Sequence, residues 1–575
     1  MDYNKEYARW LASGALSGEE RAELNAIAAD EKEKESRFCM QLEFGTAGLR
    51  GVMGTGTNRM NIHVIRHATQ AFAEVILAEG GEAAAAGVAI AYDCRVNSDV
   101  FAREAACVIA ANGIRVRIFE SLRPTPELSF AIREYGCIAG INVTASHNPK
   151  EYNGYKVYWS DGAQLPPHHA SEIAARMAKN DVFDSVKRME WDAAVSAGLV
   201  TVIGAETDER FLENVMGQVI DPDVVPAVAD GFKMVYTPFH GAGHLLIPEA
   251  LRRLGMKHVF CVPEQMVIDG TFPTVKSPNP ENPEGFYIAV DIARREGADF
   301  ILGSDPDADR VGIMVRNADG AYITISGNQT GALLLDYVIN ARKKRGTLPD
   351  NAVALKTIVT TEMARTIAER SGVKCFDTFT GFKFIAEKKN QLEGSGEGKV
   401  IFSYEESYGY MLGDYVRDKD AVTASVLLTE MAAWYHSRGM TLCDALQELY
   451  AKYGYYGERT VNLVMPGLDG LKKMKALMAG LRETPPALLA GVPLRLRRDY
   501  LSGEETEVGT GRTAKMELSE SNVLSYVTED GTTVLVRPSG TEPKVKVYIL
   551  TNGASAAECA ARVEQYAAWA ESLKG

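Results

Sequence analysis

Short apolar runs alternate with segments of helical periodicity through most of this chain. In the first group, strands are predicted at residues 88–92, 114–119 and 137–143, and helices at residues 98–112 and 127–135, with Ser98 as the cap of the former. Strands and helices that alternate in this way predict a sheet with helices on both faces.

The same alternation recurs twice. The second group of predicted elements comprises strands at residues 233–237, 258–262 and 300–302 and helices at residues 245–254 and 285–296. The third comprises strands at residues 353–358, 374–377 and 400–403 and helices at residues 361–370 and 382–390. Three groups of about a hundred residues each indicate three similar α/β domains.

The two ends of the chain differ from this pattern. Residues 1–40, rich in Glu, Ala and Lys, predict a helical extension. Near the other end, residues 534–536 and 545–550 alternate apolar and polar positions before an amphipathic helix at residues 556–573. The predicted fold is therefore three α/β domains with mixed sheets and a smaller C-terminal α+β domain. Its predicted limits are 1–43 for the extension, then 44–205, 206–318, 319–455 and 456–575.

Composition narrows the classes of protein. The 575 residues exceed what one core supports, and 46% hydrophobic and 24% charged residues are ordinary for a globular protein. The net charge of −14 argues against a nucleic-acid partner, and no apolar run reaches the length of a membrane span. Eight cysteines without CxxC or metal-type spacing, and an N-terminus unlike a signal peptide, predict free thiols in a cytoplasmic protein.

The run Thr144-Ala145-Ser146-His147-Asn148-Pro149 is the most informative part of the sequence. An apolar strand leads into it, and Asn148-Pro149 marks a turn. Lys156 follows the serine by ten residues. A lone serine hydroxyl delivered by a strand into a turn can carry a covalent phosphoryl group.

A second run places three carboxylates directly after the apolar strand at residues 300–302. Asp305, Asp307 and Asp309 stand at alternate positions, which in an extended segment would point the same way. Because clustered anions repel one another, we expect a cation there, with Mg²⁺ favoured over Mn²⁺ or Ca²⁺. A solvated acidic turn is the alternative, whereas Arg310 and Arg316 exclude an EF-hand loop.

Further polar loops suit phosphate and sugar groups. Residues 537–544, RPSGTEPK, combine an arginine, hydroxyls and a glycine, which can hold a dianion, although an ordinary turn is an alternative. Residues 404–409, YEESYG, offer acceptors for sugar hydroxyls or, equally, a cap for a helix. Polar groups at the ends of the same α/β unit add Thr380, Gly381, Lys383 and Lys419.

Together these motifs resemble the α-D-phosphohexomutase superfamily, which includes phosphoglucomutase and phosphomannomutase. The matching segments are TASHNP at 144–149, DPDADR at 305–310, EES at 405–407 and RPSGTEPK at 537–544, in the order of the family. The resemblance covers roughly residues 44–570. It implies four domains around a central cleft, each of which contributes one loop.

The resemblance also implies roles for individual residues. By motif position, Ser146 is the phosphorylated residue and, with Asp305, Asp307 and Asp309, contacts one Mg²⁺ ion. Lys156 matches the general acid/base, a role for which a lysine needs a lowered pKa. Arg50 and Arg310 match catalytic residues, Glu405 and Ser407 match sugar contacts, and Arg537, Ser539 and Thr541 match phosphate contacts. The candidate site also includes His147 in catalysis and Thr380, Gly381, Lys383, Lys419 and Gly540 in substrate binding.

The implied activity is that of an intramolecular phosphotransferase. It would interconvert a sugar 1-phosphate and a sugar 6-phosphate, with glucose favoured, through a phosphoserine and a bisphosphate such as glucose 1,6-bisphosphate, which also serves as activator. The sugar loop reads YEESYGY where dual-specificity enzymes have GEMSGH, which weakens mannose and leaves pentose phosphates open. The same motifs are compatible with a bisphosphate-sugar synthase, a phosphatase and a non-catalytic sugar-phosphate sensor. The expected assembly is a monomer or homodimer.

Overall fold

The computed structural model describes residues 2–45, 48–465, 469–539 and 544–574. The chain divides into two units by its contacts. The first unit contains residues 1–330, 389–391 and 401–442, and the second contains residues 331–388, 392–400 and 443–575. Each unit has its own hydrophobic core.

The first unit begins with three short helices, Tyr3–Ala12, Gly18–Ala26 and Glu31–Phe38. Ser17 and Glu20 form a reciprocal capping box at the second helix. Helices of this length are marginal in isolation, so their stability comes from packing around the fully buried Trp10 and Phe38. The helical character predicted for residues 1–40 is confirmed, and the limits of the extension stay a prediction.

A six-stranded mixed sheet follows. In sheet order, its strands are Gly48–Val52, Tyr152–Trp159, Ala139–Val143, Val88–Tyr92, Val116–Phe119 and Val200–Ile203. The first two junctions are antiparallel and the other three parallel. The three strands predicted from apolar runs lie next to one another in the interior of this sheet, as expected for strands buried on both faces.

Helices of this segment are Ile62–Ala78, Gly81–Ala86, Ser98–Ala111, Thr125–Glu134, Pro167–Lys179 and Trp191–Ser196. The prediction of Ser98 as a cap is wrong. The N-cap position is Asn97, in a left-handed conformation, while the Ser98 hydroxyl donates to Asp93. Because the Ser98 hydroxyl is bound to Asp93, which follows strand Val88–Tyr92, it does not cap the helix.

The next sheet of the first unit has five strands. Their order is Tyr322–Ile325, Val311–Arg316, Phe300–Ser304, Lys233–Thr237 and His258–Cys261, antiparallel at the first two junctions and parallel at the others. The accompanying helices are Ala205–Met216, Val224–Val228, Gly243–Arg253, Pro263–Met266 and Tyr287–Glu296. The 3₁₀ turn Pro283–Phe286 directly precedes the last of them. Strand Phe300–Ser304 ends directly before Asp305.

The third α/β segment contributes to both units. Strand Lys399–Glu405 belongs to the first unit from Ile401 onward. There it forms a tight antiparallel hairpin with Gly409–Met411, followed by the almost entirely buried helix Ala421–Ser437. In the second unit, strands Ala352–Thr357 and Lys374–Thr378 pair in parallel. The other helices of this segment are Gly327–Arg345, Glu362–Arg370, Phe382–Ser395 and Leu442–Tyr453.

The C-terminal segment lies in the second unit and is antiparallel throughout. Its strands in order are Tyr455–Val464, Lys544–Gly553, Thr533–Pro538, Leu524–Thr528, Val492–Asp499, Glu504–Glu507 and Thr513–Lys515, with Leu488–Leu489 paired to Val492–Asp499. Helices Gly470–Glu483 and Ala556–Ser572 complete it, so the predicted α+β character is confirmed. Among the described helices, none combines the length and apolarity needed to cross a membrane.

Candidate active site

Three loops of the first unit each contain a non-glycine residue with positive φ. These residues are Ser146 with φ 51°, Ala308 with φ 50° and Tyr408 with φ 67°. Left-handed backbone at such residues costs of order 1 kcal/mol or more each and persists only where the surroundings impose it. All three lie within predicted motifs, and Asn97, Phe239, His240 and Phe272 of the same unit share the positive φ, so this strain accompanies the motif loops without being confined to them.

The Ser146 side chain is directed at the acidic run. Ser146 is buried, and its Oγ donates to Asp305 Oδ2 at 2.9 Å. His147 Nδ1 lies 3.3 Å from the same oxygen. The predicted phosphorylation site and the predicted metal-binding run, 159 residues apart in sequence, are thus in direct contact.

The three aspartates converge, but not in the way the sequence suggested. We expected an extended segment that points alternate side chains one way, whereas residues 305–310 form a turn. Asp305 Oδ1 accepts from the backbone N–H groups of Asp309 and Arg310 and so closes this turn. The carboxylates of Asp305, Asp307 and Asp309 are all buried, and one oxygen of each lies within 4.8 Å of the others.

This cluster is electrostatically unbalanced. Burial raises the pKa of Asp305 well above its usual value, and repulsion from Asp307 and Asp309 adds to that rise. Burial likewise raises the pKa of Asp309. Burial alone would raise the pKa of Asp307 too, but Lys156 and hydrogen bonds outweigh it and lower that pKa. Without a cation, the three carboxyl groups cannot all ionise at low cost.

The donor set fits a hard divalent cation. Asp307 Oδ1 and Asp309 Oδ1 are buried without a hydrogen-bond partner. Buried carboxylate oxygens of this kind are costly unless a proton or a metal ion satisfies them. Three converging carboxylates beside a hydroxyl match the oxygen ligands that Mg²⁺ prefers.

Two lysines supply positive charge to the same carboxylates. Lys156 Nζ lies 2.8 Å from Asp307 Oδ2 and 3.8 Å from Asp309 Oδ2, and Lys419 Nζ lies 3.1 Å from Asp309 Oδ2. A Cβ on Gly409 would lie 2.1 Å from Lys419 Cδ, so the bare glycine makes room for this lysine. Burial would lower the pKa of Lys156, but Asp307 and Asp309 raise it overall. In this arrangement the lysine is therefore charged, contrary to the lowered pKa that a base requires.

The other predicted catalytic residues surround these groups. Arg310 contacts Glu281 Oε1 at 3.4 Å and donates to the carbonyl of Ser407 at 3.3 Å, which connects the acidic turn to the predicted sugar loop. Arg50 donates to Asn148 Oδ1 beside the serine turn. Burial lowers the pKa of His147 well below its usual value, with Arg310 contributing, so its imidazole is neutral. Glu405 is buried at the end of its strand.

Sequence reasoning missed the side chains that hold the serine turn. Arg95 is fully buried and donates to the carbonyls of Ser146, Asn148, Pro149 and Tyr152. Asp93 accepts from the Thr144 hydroxyl at 2.6 Å, and Thr144 Oγ1 in turn accepts from the Ser146 N–H at 2.8 Å. The available signal was an acid and an arginine directly after the apolar strand at residues 88–92.

Other predicted binding residues lie in the second unit. Gly381, with φ 119°, is the N-cap residue of helix Phe382–Ser395, and the buried Oγ1 of Thr380 before it has no hydrogen-bond partner. Burial lowers the pKa of Lys383. Arg537 is the penultimate residue of strand Thr533–Pro538, and the Ser539 N–H donates to the Lys544 carbonyl at 2.8 Å. The predicted residues Gly540 and Thr541 lie outside the described part of the chain.

Comparison with known proteins gives four consecutive family matches. They are the phosphoglucomutase/phosphomannomutase alpha/beta/alpha domains I, II and III over residues 41–183, 209–320 and 326–453, and the C-terminal domain over residues 465–566. The four-domain α/β architecture predicted from sequence is thereby confirmed. The exact domain limits stay a prediction.

Relatives and solved structures agree with these matches. A phosphoglucomutase of Staphylococcus aureus (strain N315) is 36% identical over 523 residues, covering 90% of this chain and 91% of the relative. In fold, the chain resembles parafusin from Paramecium in its open form, with TM-score 0.67, 18% identity and coverage of 92% and 96% of the two chains. It also resembles a phosphoglucomutase/phosphomannomutase family protein from Burkholderia thailandensis, with TM-score 0.64, 19% identity and coverage of 93% and 98%. The chain therefore belongs to the α-D-phosphohexomutase superfamily, and within it to the phosphoglucomutase/phosphomannomutase family, which makes it a phosphohexose mutase.

Proposed function

We propose that this enzyme interconverts glucose 1-phosphate and glucose 6-phosphate through a phosphoserine at Ser146 and a glucose bisphosphate intermediate. The observation that carries the proposal is the 2.9 Å contact between Ser146 Oγ and Asp305 Oδ2, beside two carboxylate oxygens that have no hydrogen-bond partner. Glucose is chosen as the sugar because the Staphylococcus aureus relative is named a phosphoglucomutase.

The phosphoryl group moves in two balanced steps. In the first, the bond between phosphorus and Ser146 Oγ breaks while a bond forms between phosphorus and a sugar hydroxyl oxygen. The proton lost by that hydroxyl ends on Ser146 Oγ. In the second step the bisphosphate presents its other phosphate. The bond between that phosphorus and its own sugar oxygen breaks, a bond forms between that phosphorus and Ser146 Oγ, and the serine proton ends on the freed sugar oxygen, so Ser146 regains a phosphoryl group.

Side chains of the first unit have distinct tasks in this scheme. Asp305, Asp307 and Asp309, with the group on Ser146, would hold one Mg²⁺ ion. When bound, Mg²⁺ supplies electrostatic stabilisation of the charge on the transferring group. We assign Arg310 and Arg50 to the equatorial oxygens of that group, because a guanidinium matches phosphate geometry.

Proton movement needs a group close to Ser146. We assign it to Lys156, which lies 2.8 Å from Asp307 Oδ2. Its pKa is raised by the two aspartates, so a cation that neutralises those carboxylates would remove the interaction that keeps this lysine protonated. The neutral His147, 3.3 Å from Ser146 Oγ, orients the serine hydroxyl in this scheme.

The remaining predicted residues bind the parts of the substrate that do not react. Glu405, Ser407 and Lys419 are assigned to sugar hydroxyls, as are Thr380, Gly381 and Lys383. The phosphate that is not being transferred is assigned to Arg537, Ser539, Gly540 and Thr541. A fixed anchor for that phosphate would serve both orientations of the bisphosphate.

The proposed setting is the cytoplasm, with the enzyme as a monomer or homodimer. The structure pairs none of the eight cysteines, which suits a reducing compartment. Analytical ultracentrifugation of the purified protein would separate the two assembly states.

The test is an activity panel with the purified enzyme. Glucose 1-phosphate, mannose 1-phosphate and ribose 1-phosphate are each supplied with Mg²⁺ and a trace of the matching bisphosphate. We expect the highest kcat/KM with glucose 1-phosphate and no release of free phosphate. A preference for ribose 1-phosphate would identify a phosphopentomutase instead, and stoichiometric phosphate release would identify a phosphatase.

A serine variant tests the covalent step. Ser146→Ala should lower kcat by at least about a thousandfold, because the phosphoryl carrier is lost, while the melting temperature stays close to that of the parent. Ser160→Ala, at an exposed serine of the same segment, is the matched control. Substantial mutase activity in Ser146→Ala would overturn the phosphoserine mechanism.

A further inference from the structure

Asp307 is held by the first residue of a neighbouring helix that no motif identified. The backbone N–H of Thr125, which begins helix Thr125–Glu134, donates to the Asp307 carbonyl at 2.8 Å. The Thr125 hydroxyl donates to Asp307 Oδ2 at 2.9 Å. Both residues are fully buried, so water does not compete for these contacts.

A third residue sets the direction of the Thr125 hydroxyl. Asn142 Nδ2 donates to Thr125 Oγ1 at 2.7 Å. A hydroxyl has a single proton, and because Oγ1 accepts from the amide, that proton is directed to the carboxylate. Asn142 is fully buried on strand Ala139–Val143, directly opposite Lys156 on the neighbouring strand.

The two oxygens of Asp307 therefore differ in their surroundings. Oδ2 accepts from Thr125 Oγ1 and from Lys156 Nζ, at 2.9 Å and 2.8 Å. Oδ1 is buried and has no hydrogen-bond partner. The terminal torsion of an aspartate is soft, so hydrogen bonds decide which oxygen stays available to a ligand.

We propose that Thr125, aligned by Asn142, is a positioning residue that occupies Asp307 Oδ2 and keeps Oδ1 available to the divalent cation. This inference rests on the proposed magnesium site. Lys156 contacts the same oxygen, but the proposal gives it a separate task in proton movement. Thr125 therefore holds the carboxylate of Asp307 in one orientation throughout the reaction.

The experiment measures cation binding directly, apart from turnover. Mg²⁺ is titrated into the metal-free enzyme without substrate by isothermal titration calorimetry, with the parent, Thr125→Val and Thr125→Ser. Thr125→Val keeps the shape but removes the hydroxyl, and we expect it to weaken Mg²⁺ binding by about 10–100-fold. Thr125→Ser keeps the hydroxyl and should bind close to the parent value. Turnover of Thr125→Val should recover as the Mg²⁺ concentration is raised.

A double-mutant cycle tests whether Asn142 acts on Mg²⁺ binding through the Thr125 hydroxyl or only through the stability of the fold. Asn142→Leu alone should weaken Mg²⁺ binding, because the hydroxyl is no longer aligned. In the Thr125→Val background it should cause no further loss, since there is no hydroxyl left to align. Melting in EDTA reports the stability of every variant. If Thr125→Val does not fold, the comparison of Asn142→Leu with the parent carries the test.

Each result supports or contradicts either the role of Thr125 or the metal site on which it rests. A folded Thr125→Val or Asn142→Leu variant that binds Mg²⁺ as tightly as the parent would overturn the proposed positioning role. Independent, additive losses of Mg²⁺ affinity in the cycle would overturn it as well. A parent enzyme that binds no Mg²⁺ in the calorimeter would instead contradict the proposed metal site itself. The two failures are therefore distinguishable.

Discussion

Two clusters of charged side chains in the first unit show the difference between charges that stabilise a fold and charges arranged for a ligand. The first is the acidic cluster, Asp305, Asp307 and Asp309. The second is the N-terminal cluster, Glu23, Glu33, Arg37 and Arg59. Both join segments that are distant in sequence, and both remove charge from water.

The N-terminal cluster is balanced. Arg37 contacts Glu33 Oε1 at 2.7 Å and also pairs with Glu23, while Arg59 lies 3.3 Å from Glu33. The second oxygen of Glu23 accepts from the hydroxyl and the N–H of Thr55. With two arginines and two glutamates, each charge has an opposite partner. The cluster thereby fastens the N-terminal helices to the loop at residues 53–61.

The pKa directions express this difference. Hydrogen bonding to Arg37 lowers the pKa of Glu33, and contacts with Thr55 and Arg37 overcome burial to lower that of Glu23. In the acidic cluster, burial raises the pKa of Asp305 and of Asp309. Glu23 and Glu33 therefore prefer to be ionised in the folded protein, whereas the anionic forms of Asp305 and Asp309 are disfavoured, which the proposed cation would relieve. Asp307 is the exception in the acidic cluster, because Lys156 and hydrogen bonds lower its pKa.

The largest expected contrast is in activity. Asp307→Asn should lower kcat/KM by about a thousandfold, because it removes charge from the proposed metal site, which supplies several kcal/mol to the transition state. Glu23→Gln is the matched control and should leave kcat/KM close to the parent value. Steady-state assays at saturating Mg²⁺ measure both. Equal losses in the two variants would remove the functional distinction between the clusters.

The next contrast is in stability. Arg37→Met should lower the free energy of unfolding by about 3 kcal/mol, because it leaves two half-buried glutamates without their main partner. Urea denaturation followed by circular dichroism measures the change. Arg295→Met, which removes an exposed ion pair with Glu296, should stay within about 0.5 kcal/mol. Similar losses of unfolding free energy in both variants would show that the N-terminal cluster stabilises the fold no more than an exposed ion pair does.

Acid should reduce the stability that paired carboxylates of the N-terminal helices contribute to the fold. Burial alone would raise the pKa of Glu20, but the contact with His63 Nε2 at 3.0 Å and the hydrogen bond from the Ser17 N–H outweigh it and lower the pKa to about 2. A carboxyl whose folded pKa lies below its unfolded value of about 4.5 adds stability above that value and loses it as the pH falls toward 2. We expect a loss of about 1–2 kcal/mol from this group between pH 5 and pH 2. Urea midpoints across this range should fall less steeply in Glu20→Gln, and identical slopes would contradict the assignment.

The smallest effect has the opposite sign. In EDTA, Asp305→Asn should raise the free energy of unfolding by about 1 kcal/mol, because it removes one of three mutually repelling charges. Thermal melting with and without Mg²⁺ measures it. Added Mg²⁺ should stabilise the parent and not the variant. A lower melting temperature for Asp305→Asn in EDTA would show that the carboxylate is needed for the fold itself.

Much of the fold and part of the site could be predicted from the sequence. The buried strands were found because continuous apolar runs between turn residues have few other interpretations, and Ser146 and the three aspartates were found because each follows such a strand. The edge strand Gly48–Val52 and its neighbour Tyr152–Trp159 were not found, since their polar and glycine positions obscure the pattern. Thr125, Asn142 and Arg95 were missed because their tasks depend on partners far along the chain.

By itself, the sequence determined the repeated α/β pattern, the order of the four motifs and the presence of three carboxylates that need a counter-charge. These properties are local, since they depend on side-chain type and on spacing within a few residues. Only the tertiary structure decided that Asp305 lies beside Ser146, that a turn closed by Asp305 brings the aspartates together, and that Thr125 donates to one oxygen of Asp307 while the other has no hydrogen-bond partner. The physical reason is that hydrogen bonds and burial depend on which distant segments pack together, and that is settled by the whole core.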